Sequence, residues 1–123
     1  MRTLELGSVG AMRERLNALV LAGEKRATAG LVEEYEDEPF EQPGERLVLV
    51  DDHGQRCGLV EVTGAERTTF GEVPWSFAQA ENEGDTSIEE WRDGHRAFWQ
   101  SEGVVVTDAT PVSLVYFTLV DAH

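Results

Sequence analysis

Gly23-Glu24-Lys25-Arg26-Ala27-Thr28-Ala29-Gly30 holds the only lysine of the chain; the other nine basic residues are arginines. A lysine amine responds to its surroundings and can be desolvated into a neutral base, whereas a guanidinium stays charged. Thr28 places a hydroxyl three residues further on. Gly23 falls where a helix would end in a left-handed cap, so the stretch emerges from a helix terminus. By itself this composition fits a surface lysine without a special role. It fits equally a segment lining a site that acidic residues further along the chain complete.

Working backwards, Met12, Leu16, Leu19 and Val20 recur at helical spacing and predict a helix from a Ser8 cap to about Ala22. Arg13, Glu14, Arg15 and Asn17 fall on its other side. Residues 1–7 read as a frayed end or a small edge strand. Working forwards, residues 33–45 carry Glu33, Glu34, Glu36, Asp37, Glu38, Glu41 and Glu45 with no basic residue, and Pro39, Pro43 and Gly44 mark them as loop. Tyr35 and Phe40 are aromatics in that loop. They are available to stack on a base or to fold back over the protein.

Arg46–Val50, the turn Asp51-Asp52-His53-Gly54 and a return strand from Arg56 to Thr63 predict a hairpin. Turn chemistry accounts for the aspartates without a metal. A short strand is expected over 65–70, then a short helix from Trp75 to about Ala80 with Pro74 in its first turn. Thr86 with Glu89 and Ser87 with Glu90 are doubled capping signals for a second helix. Its stripe is Ile88, Trp91, His95, Phe98 and Trp99, and His95 reads there as a hydrogen-bonded core residue. Val104–Val106 and Val112–Val120 are expected as strands. The pattern is α+β, one domain over 1–123, compatible with a small closed barrel carrying helices at its rim.

Charge narrows the function. Ten cations against 24 anions give a net charge of −14. That argues against strong non-specific binding of long nucleic acid, which needs a basic face, though Lys25 and Arg26 offer a local positive patch. The single cysteine, Cys57, excludes an internal disulfide and a cysteine zinc cluster, and reads as an inert thiol in a strand. The chain lacks an apolar run long enough for a membrane span and an N-terminal signal core, so a cytoplasmic protein is expected. No cofactor or metal is called for, and oligomeric state is left open.

Gly23-Glu24-Lys25-Arg26-Ala27-Thr28 resembles the G-x-K-x-x-T signature of the ASCH domain family. The acidic loop with Glu34-Tyr35-Glu36 follows at the matching place. The long block Phe77 to Arg92, with His95, Phe98 and Trp99 after it, resembles the family's second block. The resemblance spans nearly the whole chain. It implies a β-barrel related to the PUA fold, with a cleft between barrel and helices. ASCH domains have been proposed to bind RNA. Some small members are amidohydrolases that remove the acetyl group of N4-acetylcytidine, and at least one relative is described as a ribonuclease. Carried over residue by residue, the resemblance implies Lys25, Thr28 and Glu81 as catalytic residues, with Glu83 in reserve should the alignment shift by two.

Tyr35, Trp75, Glu83 and Arg26 are the further ligand-binding candidates, the aromatics by stacking on a base. Two departures stand out. Many members carry an arginine where this chain has Gly30, and others have Glu-Arg where this chain has Val115-Tyr116. Three functions remain open: a module binding RNA or a modified nucleoside, a metal-independent amidohydrolase acting on an acylated nucleoside, and a regulatory domain using its acidic face. Within the enzyme reading, Lys25 is either the base that activates Thr28 or a cation held by Glu81.

Overall fold

A computed structural model describes residues 1–123. Five strands and three α-helices follow in the order β1 (Thr3–Leu4), α1 (Ala11–Leu21), β2 (Ala27–Leu31), β3 (Arg46–Val50), β4 (Arg56–Thr69), α2 (Trp75–Glu81), α3 (Ile88–Ser101) and β5 (Pro111–Asp121). The fold class is mixed α+β, as expected. The strands form one sheet in the order β1-β3-β4-β5-β2, antiparallel except for the parallel β1–β3 pair. β1 and β2 are its two edges and do not pair with each other, so the hydrogen bonding leaves the sheet open.

β5 explains the layering. Val112 and Leu114 belong to a core with Phe70, Phe77, Trp91 and Trp99. Val115 and Phe117 belong to a second core with Leu16 and Val20 of α1. Alternation along a strand sends these two sets to opposite faces, so α1 covers one face and α2 with α3 the other. A sheet buried on both sides explains why Val112 to Val115 are all buried.

Several sequence expectations need correction. Ser8 does not cap α1; its hydroxyl lies 3.5 Å from Met12 Sδ, and the helix begins after Gly10. Arg13 and Asn17 are buried rather than solvated. Arg13 donates to the carbonyls of Leu6 and Gly7, and Asn17 to that of Val50. Each side chain satisfies backbone groups that would otherwise be buried without partners. The strand expected over 65–70 is the far half of a single long β4, and Val104–Val106 form no strand because no ladder partner reaches them. Pro74 sits at the N-cap position, just before the first turn of α2. The Asp51 turn needs no metal, since Asp51 Oδ1 accepts from the amides of His53 and Gln55. No helix is long and apolar enough to cross a membrane.

Candidate functional site

The stretch around Lys25 is fixed from both ends. Gly23 (φ 76°) closes α1 in a Schellman arrangement, with the Glu24 amide on the Leu19 carbonyl and the Gly23 amide on that of Val20. On the far side, the Arg26 amide donates to the Ala80 carbonyl at 2.8 Å, and the Asn82 side chain donates to the Glu24 carbonyl at 3.1 Å. Asn82 ends α2 in the left-handed conformation (φ 53°), which asparagine tolerates better than most residues. The end of α2 is thereby tied to the start of β2, and Glu81 and Glu83 come to Lys25 across 56 and 58 residues of sequence.

Lys25 is only 1% exposed. Its ammonium donates to the Ala27 carbonyl (2.7 Å), Glu81 Oε2 (2.9 Å) and Glu83 Oε2 (2.6 Å). An ammonium has three protons to give, and here three acceptors meet them. Two of those acceptors are carboxylates, so the arrangement suits the cation and leaves no lone pair for a base.

Glu81 is equally enclosed, at 2% exposure. Its other oxygen, Oε1, accepts from Trp91 Nε1 (2.6 Å) and lies 3.0 Å from His95 Nε2. Burial disfavours this carboxylate, but Lys25 and the His95 ring outweigh it and hold the carboxyl well below the usual range. His95 Nδ1 lies 2.9 Å from the Trp91 carbonyl. Both ring nitrogens therefore face oxygens without a proton to give, and both bonds form together only when the ring is the imidazolium. Burial works against that charge, yet the hydrogen bond and charge of Glu81 raise the His95 pKa. The ring also stacks on Trp91, with centroids 4.0 Å apart.

Glu83 differs from Glu81. Its side chain is 13% exposed, and its Oε2 accepts from Lys25 at 2.6 Å. Burial and then the charge of Glu81 raise its pKa, with Lys25 offsetting only part. Glu81, Glu83 and His95 bring ligand-type atoms within 4.8 Å of one another. The Lys25 ammonium already fills the space between the two carboxylates, so the trio is an ion-pair cluster and not a set of metal ligands.

This cluster forms the floor of a cavity of about 230 Å³ beside the free edge of β2. Thr28 and Ala29 of β2 line it, with Leu16 of α1 and His95, Phe98 and Trp99 of α3. Lys25, Thr28 and Glu81, the three residues singled out from the sequence, thus share one concavity with Glu83. Thr28 is half-buried, with its side chain at the cavity lining. Gly7 lines the opposite wall, where its φ of 58° and the Met12 Cγ lying 2.9 Å from any added Cβ both select glycine. Thr28 pairs with Val115 of β5.

The other candidates lie elsewhere. The Tyr35 hydroxyl donates to Glu41 (2.7 Å) and accepts from the Ser113 hydroxyl (3.1 Å), and its ring packs on Phe40 at 4.7 Å. It lines a separate acidic groove with Gly30 and Arg2. The loop has folded back, and burial pushes the Tyr35 pKa up to about 12. Trp75 packs against the core formed by Phe77 and Trp91, outside the cavity. Arg26 is exposed and does not line the cavity either. The aromatics actually present there are Phe98 and Trp99. His95 was legible only as a core residue; the signal for its second role was its place one turn after Trp91, on the stripe that faces Glu81.

The family model described as the ASCH domain matches residues 3–121. The structure resembles the ASCH domain of Lactobacillus crispatus JV V101, with 25% identity, a TM-score of 0.84, and coverage of 98% of this chain and 79% of that one. It also resembles a protein of Enterococcus faecalis V583, with 25% identity, a TM-score of 0.87, and coverage of 98% and 77%. An ASCH protein of Zymomonas mobilis shares the fold at 12% identity and a TM-score of 0.55, over 89% of this chain and 64% of that one. No curated protein sequence matches.

Proposed function

The chain belongs to the ASCH domain family, and on that premise we propose that its cleft binds a modified nucleoside and hydrolyses an amide on it, such as an N4-acyl group on cytidine. The observation that carries this reading is the convergence of Lys25, Thr28 and Glu81 on one small cavity. Its volume lies below the roughly 300–1,000 Å³ of drug-sized sites, which suits a single nucleoside better than an oligonucleotide. The carboxylates on its floor would repel phosphate, so the favoured ligand is uncharged.

In this reading Thr28 Oγ1 attacks the amide carbonyl carbon, and the acyl group passes to the threonine before water releases it. Lys25 acts as a cation. All three of its protons are committed, so it is poorly placed to accept another, and its charge suits the oxyanion that develops on the carbonyl oxygen. Glu81 holds that cation in place. Phe98 and Trp99 offer flat apolar surface for the base.

Incubating the protein with N4-acetylcytidine and following cytidine by chromatography tests the reading. Cytidine and acetate should appear with wild type and fall to background with Thr28→Ala. Turnover that survives this change would remove Thr28 from its role, and no product at high enzyme concentration would rule out this substrate. The second reading, a non-catalytic RNA-binding module, draws on the same fold, but the acidic floor and the net charge of −14 disfavour it.

A further inference from the structure

We propose that Glu83, and not Glu81, is the group that carries protons in this cleft, and that Glu81 with His95 is a positioning pair that holds Lys25. The proposal rests on the amide-hydrolysis reading. Glu81 has no free acceptor direction toward the cavity: Oε2 is taken by Lys25, and Oε1 by Trp91 and His95. A carboxylate surrounded by three donors at 2% exposure has neither access to substrate nor reason to take a proton. Glu83 lines the same cavity, and Lys25 engages only one of its two carboxylate oxygens, Oε2. The charged groups around Glu83 are Lys25 at the start of β2, Glu81 at the end of α2 and His95 of α3, with Asp85 on its own loop and Arg15 of α1 at the cavity rim. Burial and the Glu81 charge favour its neutral form, which suits a group that gains and loses a proton during the reaction.

The proton path follows. As Thr28 Oγ1 forms its bond to the carbonyl carbon, Glu83 Oε1 takes the hydroxyl proton and the carbonyl π pair moves onto oxygen. Protonation of Glu83 weakens its hold on Lys25, freeing one N–H for that oxyanion. The oxyanion then collapses, the C–N bond breaks, and Glu83 returns the proton to the departing amine nitrogen. Water attacks the threonine ester, giving one proton to Glu83, which passes it to Thr28 Oγ1 as the carboxylic acid leaves. The sum is amide plus water to amine plus acid, with Glu83 back in its starting form.

Carbon-13 NMR titration of the glutamate carboxyls separates the two residues without needing any substrate. The proposal predicts one cluster carboxyl that titrates above the ordinary glutamate range, absent from Glu83→Gln, and a Glu81 signal that stays ionised throughout. Glu83 titrating at or below the ordinary value, or Glu81 titrating above it, would overturn the assignment. With N4-acetylcytidine, Glu83→Gln should lower kcat by about 10²–10⁴-fold with little change in KM and erase the acidic limb of the kcat/KM profile. Glu83→Asp should restore that limb in part. Wild-type kcat in a folded Glu83→Gln protein would equally overturn it. If wild type shows no hydrolysis, the amide reading fails by itself, and the carboxyl titration still decides which residue carries the proton.

Discussion

Lys25 is the residue on which the cluster depends. Replacing it by methionine removes the charge but leaves Glu81 buried beside His95, short of a cation. Breaking one side of a buried pair costs about 3–5 kcal/mol, so Lys25→Met should lower the urea midpoint at an unchanged slope. Thr28 carries no comparable structural duty, since it is half-buried at the cavity wall and takes no part in the ion-pair cluster. Thr28→Val should therefore change stability by less than about 1 kcal/mol while removing turnover. The contrast between these two variants separates holding the site from acting in it.

The same residues fix a pH dependence. The Glu81 pKa is lowered on folding, so its contribution is present above the ordinary value of 4.5 and is lost as pH falls through the folded value. The His95 pKa is raised, so its contribution is complete below 6.5 and is lost as pH rises through the folded value. Glu83, also raised, acts in the same direction as His95. Stability should therefore be greatest between these limits and decline on both sides. In urea midpoints taken across pH, His95→Gln should reduce the alkaline decline to the part due to Glu83 and, because His95 helps hold the Glu81 pKa down, weaken the acidic decline in part. An unchanged alkaline decline would mean that His95 is not charged in the folded protein.

At the scale of elements, α3 shows what the chain makes legible. Its start is written in Ser87 and Glu90: the Ser87 hydroxyl accepts from the Glu90 amide at 3.1 Å, as capping signals predict. Ser87→Ala should cost about 1 kcal/mol, measurable by thermal or chemical unfolding. The hairpin β3–β4, the Gly23 cap and the apolar face of α1 were legible for the same reason, that local chemistry determines them. The burial of Arg13 and Asn17 was not, because their partners are backbone carbonyls of Leu6, Gly7 and Val50 that only the fold supplies. Val104–Val106 mislead for the converse reason: strand propensity needs a neighbouring strand, and none lies there. Tyr35 and Trp75 were eligible by residue type, yet each finds closer partners within the protein, and Phe98 and Trp99 take the cavity instead.

The molecule as a whole places its cleft where the sheet runs out. The edge strand β2 lines the cavity together with residues of α1 and α3, which cover opposite faces of the sheet. Lys25 had to be read with Glu81 and Glu83 for that space to be seen, and the link across 56 and 58 residues was legible only through resemblance to a family. A net charge of −14 sets the expected partner. An uncharged nucleoside should bind with an affinity that hardly changes between low and high salt. A labelled RNA oligonucleotide should bind weakly even at low salt. Tight oligonucleotide binding that falls steeply with salt would favour the RNA-module reading.

The most direct measurement is a nitrogen-15 amide spectrum recorded while N4-acetylcytidine is added to the Thr28→Ala protein, where the ligand is not consumed. The cleft reading predicts saturable shifts centred on Ala29, Glu83, Gly94 and His95, with the Tyr35 groove undisturbed. Shifts confined to that groove, or none at millimolar ligand, would contradict it.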